Sequence, residues 1–119
     1  MNTTINLTWN GIKYTLEYDR STIKLLENAG FVLDEFLSKP MNNIELVFSG
    51  AFIKNHRNLS QTTIDEIFSK VKDKTGLLQA LQKMIQDSYE SLLDEPEDGE
   101  EGNATWEVID LSPKKSQNK

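Results

Sequence analysis

The sequence predicts an α+β fold in which an N-terminal β-hairpin packs on a bundle of about five α-helices, with a disordered acidic tail behind it. Three observations carry that expectation. Two alternating apolar runs meet at Asn10-Gly11, residues 20–93 repeat apolar side chains at helical spacing, and residues 94–102 contain only acids, proline and glycine.

The hairpin follows from its turn. Asn-Gly between two alternating runs favours the positive φ angles of a two-residue type I′ turn, and that turn fixes the register. Trp9 then faces Ile12, Leu7 faces Tyr14, Ile5 faces Leu16 and Thr3 faces Tyr18, which makes one face large and apolar. The opposite face pairs Thr8 with Lys13, Asn6 with Thr15 and Thr4 with Glu17, and should meet water. A two-stranded sheet is marginal alone, so the aromatic face is expected to lie on helices.

Asp19 or Ser21 can cap a first helix that runs to Asn28, with Ile23, Leu25 and Leu26 inward. Ala29-Gly30 ends it, and Phe31 stands where an apolar contact often closes a helix terminus. A second short helix over residues 32–38 carries Leu33, Phe36 and Leu37 before Lys39-Pro40 stops it. Residues 43–56, capped by Asn42 or Asn43, form the central helix. Ile44, Val47, Phe48, Ala51 and Phe52 make one stripe, while Leu46 and Ile53 make a second about a third of a turn away. A helix apolar on two sides needs cover on two sides, so the other elements should pack onto it, with Gly50 admitting a close neighbour.

Ser60 or Thr62 opens a fourth helix whose Ile64, Ile67, Phe68 and Val71 form a single stripe; Thr63 with Glu66, or Thr62 with Asp65, matches a capping box. Asp73-Lys-Thr-Gly76 breaks the chain. The last and longest helix, residues 75–93, carries Leu77, Leu81, Met84, Ile85 and Tyr89 on one side and Gln79, Lys83 and Asp87 on the other.

Residues 1–93 read as one domain of hairpin and helices, and 94–119 as linker and flexible tail. The net charge of −6 divides accordingly: residues 1–93 hold 10 Lys and Arg against 11 Asp and Glu, whereas residues 94–104 hold six acids and no base. A near-neutral domain without a basic stripe argues against a grip on nucleic acid. With no cysteine there is no disulfide and no thiolate chemistry. The amino terminus has no basic leader, and no segment approaches the roughly 18 consecutive apolar residues a membrane span needs, so a soluble, unexported protein is expected.

Little in the chain points to catalysis. His56 is the single histidine and has Asn55 and Arg57 beside it, so neither a metal cluster nor an acid–base pair is visible; beside a helix end it is expected to meet the terminal carbonyls. Asp34-Glu35 and Asp65-Glu66 are adjacent and diverge by about 100° on a helix, which prevents each pair from sharing a substrate. No glycine-rich phosphate loop is present, and no cofactor is implied. Residues 105–111, with Trp106 and Val108, are strand-like; they either add a third strand to the hairpin edge or act as a tethered peptide for a partner.

Trp9-Asn-Gly-Ile-Lys-Tyr-Thr-Leu-Glu-Tyr-Asp-Arg20, then Leu26-Glu-Asn-Ala-Gly-Phe31, Lys39-Pro-Met41 and Phe48-Ser-Gly-Ala-Phe-Ile-Lys-Asn-His56 resemble the tail assembly chaperones of long-tailed phages and prophages of Gram-positive-type hosts. The likeness runs over residues 5–95 and extends to the acidic stretch followed by Trp106-Glu-Val108. It implies a host-cytoplasmic, non-catalytic protein of virion morphogenesis that coats the long apolar tape measure protein, helps recruit tail tube protein and is absent from the finished virion. In such families a ribosomal frameshift often gives a longer second product.

A chaperone for an elongated client needs exposed apolar surface. Phe48, Phe52 and Ile53, together with Trp106 and Val108, are the candidate partner-binding residues, for the client or for self-association, with the outer side of the last helix as the alternative surface. The competing reading of the first three is ordinary core. The rival function is a small acidic inhibitor or adaptor in which residues 94–104 occupy a basic partner.

Overall fold

Alternation and turn produce the expected hairpin. A computed structural model describes residues 3–93 and 107–109. In it β1 (Ile5–Trp9) pairs antiparallel with β2 (Ile12–Leu16), with Trp9 against Ile12, Leu7 against Tyr14 and Ile5 against Leu16. Asn10 and Gly11 hold φ of 54° and 76°, the two left-handed residues of a type I′ turn. The ladder stops there: Thr3 instead donates its hydroxyl to the Asp87 carboxylate, and Tyr18 sends its own into the core.

Among the described residues five α-helices follow, so the fold is α+β. Helix α1 (Arg20–Asn28) opens on an Asp19 capping box, in which Asp19 Oδ1 accepts from the Thr22 amide at 2.9 Å and Thr22 Oγ1 accepts from the Asp19 amide at 2.7 Å. It closes on Gly30, φ 105°, with the Phe31 amide reaching back to the Leu26 carbonyl at 3.0 Å and the Phe31 ring buried. Thr22, Ile23 and Leu26 face inward. Leu25 does not, contrary to expectation: one face of α1 meets the core, and a residue about 100° round from Leu26 falls outside it.

Helix α2 (Leu33–Ser38) is six residues long and buries Phe36, while Leu37 is left exposed. Pro40–Asn42 form one turn of 3-10 helix into α3 (Ile44–Gly50). Asn43 occupies the cap position of α3 but makes no capping hydrogen bond; its side-chain amide donates to Glu35 at 3.1 Å. Helix α4 (Gln61–Lys70) is capped by Ser60, whose hydroxyl accepts from the Thr63 amide at 3.2 Å; neither capping box suggested by the sequence forms. Helix α5 (Lys74–Leu92) starts from Asp73, itself left-handed at φ 55°, and lays Leu81, Met84 and Ile85 into the centre.

The main correction concerns residues 43–56. The regular helix ends at Gly50, and residues 51–55 continue as turns held by i to i−3 bonds from Phe52 to Ser49 and from Ile53 to Gly50. In a continuing helix the Ala51 carbonyl would accept from Asn55. Here it accepts the Glu17 amide at 3.1 Å, so a bond to the end of the hairpin replaces the helical one. The central role survives the shortening: α3 touches α1, α4 and α5, and Ile44, Val47, Phe48, Ala51 and Phe52 are all buried. A Cβ built on Gly50 would lie 2.7 Å from Leu26 Cδ2, which is the close approach the glycine admits.

The Tyr18 hydroxyl, fully buried, donates to the Val47 carbonyl at 2.7 Å. That carbonyl also accepts the Ala51 amide, so Tyr18→Phe orphans nothing and should cost only about 1 kcal/mol in urea unfolding. Phe52→Ala, which opens a cavity beside Phe48 and Tyr14, should cost about 3–5 kcal/mol in the same assay.

Candidate functional site

The second stripe of the central segment shows where an apolar partner could sit. Leu46 on α3 and Ile53 just beyond it are half-buried, as they lack the second layer of cover that would bury them. With Leu25 on α1, Leu59 in the following loop and Ile64 on α4, they line a shallow groove of about 260 Å³. Leu25 is 51% exposed at its edge. Ser49 and Gln61 form a polar rim that satisfies itself: the Gln61 amide donates to Ser49 Oγ at 2.9 Å and to Asp65 Oδ1 at 2.8 Å.

Of the candidate partner-binding residues among the described ones, Ile53 alone lies in this groove. Phe48 and Phe52 are 1% exposed each and stack edge to face at 5.1 Å, with Phe68 and Tyr14 around them, so they are core and present no surface. Their stripe faces the hairpin and α4, which cover it. Val108 is 79% exposed, and residues 107–109 belong to no strand, so the sheet has two strands among the described residues. Trp106 and the acidic run lie outside the described residues.

His56 has a structural post different from the one expected. Its Nε2 accepts the Thr15 backbone amide at 3.0 Å, and the ring stands edge-on to Tyr14 at 5.1 Å. An accepting Nε2 places the proton of the neutral imidazole on Nδ1. Asn55 completes the arrangement by donating to the Thr15 carbonyl at 3.2 Å and to Glu17 Oε1 at 2.9 Å, and Lys54 bridges Glu17 Oε2 at 2.8 Å. Residues 51–56 thereby cover the outer edge of β2 with one carbonyl and three side chains, much as a third strand would.

Hydrogen bonds from Lys54 and then Asn55 hold the Glu17 carboxyl below its ordinary range. Burial pushes the Tyr89 phenol up, and its hydroxyl stays protonated to donate to Glu27 at 2.6 Å. These groups tie elements together. Among the described residues no three His, Asp or Glu side chains converge as metal ligands would, and no helix is long and apolar enough to cross a membrane.

A family model described as Domain of unknown function (DUF5055) matches residues 1–109. The chain belongs to that family. The DUF5055 match runs past Leu93 through the acidic stretch and takes in Val108 and Ile109. No curated protein and no solved structure matches the chain.

Because the folded pKa of Glu17 is lowered, its contribution to stability is present above the ordinary carboxylate range and is lost as pH falls through the folded value. Wild type should therefore exceed Glu17→Gln in urea midpoint near neutral pH, and the gap should close on titration towards pH ~3. A gap that does not change over that range would mean that the Lys54 and Asn55 bonds carry no charge-dependent stability.

Proposed function

We propose that this DUF5055 chain is a non-catalytic tail assembly chaperone of a phage or prophage, which binds the tape measure protein in the host cytoplasm and helps tail tube protein assemble around it. The groove between α1, α3 and α4 is the observation that carries this reading. Its floor is leucine and isoleucine, its rim polar groups are already paired, and it presents nothing suited to bond-making chemistry. Such a groove suits an amphipathic helix whose apolar side chains repeat at i, i+3, i+4 and i+7, and a long helical client offers that stripe many times over. Many weak seatings along one client add through avidity, so no single site needs to be tight. The resemblance over residues 5–95 supplies the identity of the client, and the near-neutral surface of residues 1–93 agrees with a protein partner rather than a nucleic acid.

Leu25→Asp and Ile53→Asp place a charge in the groove at positions that are half or more exposed or only partly buried, so the fold should survive both. Co-expressed with the tape measure protein, each variant should bind it about tenfold more weakly or worse and leave more of it insoluble, while its own circular dichroism matches wild type. Client that stays fully soluble beside both folded variants would end the proposal.

A further inference from the structure

The two edges of the hairpin are treated differently. On β2 and one residue past its end, the Thr15 and Glu17 amides point away from β1, since they bond to His56 Nε2 and to the Ala51 carbonyl. Thr15 is paired with Asn6, and in an antiparallel ladder partners point their backbone groups the same way, inward or outward together. The amides and carbonyls of Asn6 and, two residues on, Thr8 therefore point outward from β1. Both residues are exposed, and among the described residues no other segment bonds to their backbone. The β2 side is covered at Thr15 and Glu17, whereas the β1 edge is open at both Asn6 and Thr8.

Beside the open edge lies a second groove, of about 290 Å³, with Leu7, Trp9, Ile67 and Val71 as its apolar floor and Lys70 and Lys72 on its rim. The chain itself contains a segment of matching chemistry. Residues 105–111 place Trp106 and Val108 on one face of an extended strand, and six carboxylates precede them in residues 94–104. Val108 and Ile109 are 79% and 72% exposed and in no strand, so their own hairpin does not take them up. Both lie within the residues that the family model matches.

We infer that residues 105–111 of one copy add to the open edge of β1 in a second copy as a third strand. Trp106 and Val108 then enter the groove floored by Leu7, Trp9, Ile67 and Val71, and the carboxylates that precede them face Lys70 and Lys72. Main-chain bonds to Asn6 and Thr8 supply the general affinity of such strand addition, and the two pockets along it supply the register. Each copy has one donor segment and one acceptor edge, so the contact is head to tail and extends into open chains rather than closing as a symmetric pair. This association does not depend on the chaperone reading, because it needs no client.

The test uses the full chain in sedimentation velocity over a concentration series. Wild type should gain mass with concentration and lose that gain on adding salt, which screens the lysine and carboxylate contacts. Asn6→Pro removes the outward amide of β1 while leaving the inward hydrogen bonds of the hairpin, and Val108→Asp spoils the donor; each alone should sediment as a single chain. Mixed in equal amounts, the two variants should form a two-chain species, because one retains a working donor and the other a working edge. If Asn6→Pro alters the circular dichroism of the hairpin, Lys70→Glu with Lys72→Glu replaces it on the acceptor side. Wild type that stays a single chain throughout, through docking on its own edge or on none, would overturn the inference. So would a variant that associates like wild type, or a mixture that stays at one chain.

Discussion

The bond between the Glu17 amide and the Ala51 carbonyl decides how this fold is put together. It takes the acceptor that Asn55 would use in a continuing helix, and it pins a segment that has already left regular helical geometry at Phe52 and Ile53 to the end of the hairpin. Once Ala51 faces β2, the next residues are carried along the strand edge, where Lys54, Asn55 and His56 each find a partner on Thr15 or Glu17. The hairpin is held to the helices by this seam as well as by the burial of Tyr14, Leu16 and Tyr18. A two-stranded ribbon needs such a tether, since alone it buries too little to stand.

The seam also explains the asymmetry of the sheet. The seam takes up the amide and carbonyl of Thr15 and the amide of Glu17, so at these positions the β2 edge offers a partner nothing to pair with. The β1 edge has no such cover among the described residues, so the molecule is polarised, with a closed side towards its core and an open side towards solvent. Glycine at position 50 works in the same region from the other direction: it lets Leu26 of α1 approach α3 and so fixes the wall of the groove that Leu25 and Ile53 border.

What could be read from the sequence was mostly what is decided within a few residues. The Asn10-Gly11 turn and the five cross-strand pairs of β1 and β2, the Asp19 cap, and the Gly30 terminus with Phe31 behind it all follow from local φ preferences and short-range hydrogen bonds; the expected break at residues 73–76 falls instead at 71–73, because Asp73 caps a helix that already begins at Lys74. Decisions made by distant partners were not legible. The partner of the Ala51 carbonyl is Glu17, that of His56 is Thr15, and that of the Asn43 side chain is Glu35, at separations no periodic pattern records. The site divided in the same way. Leu46 and Ile53 were recognisable as a second stripe from their spacing, but Leu25 gave no sign that it faces outward, and Phe48 and Phe52 look alike as core or as surface until their neighbours are known.

Helix α5 closes the centre with Leu81, Met84 and Ile85, and reaches back through Tyr89 to Glu27 and through Asp87 to Thr3. Synthesis proceeds from the amino terminus, so these residues are among the last of the domain to leave the ribosome. Until they do, Phe36 and its neighbours have no lid. A nascent chain of this protein is therefore itself a greasy, unfinished polypeptide for most of its translation, and a premature stop ahead of residue 85 would leave a fragment without a closed interior rather than a smaller working version.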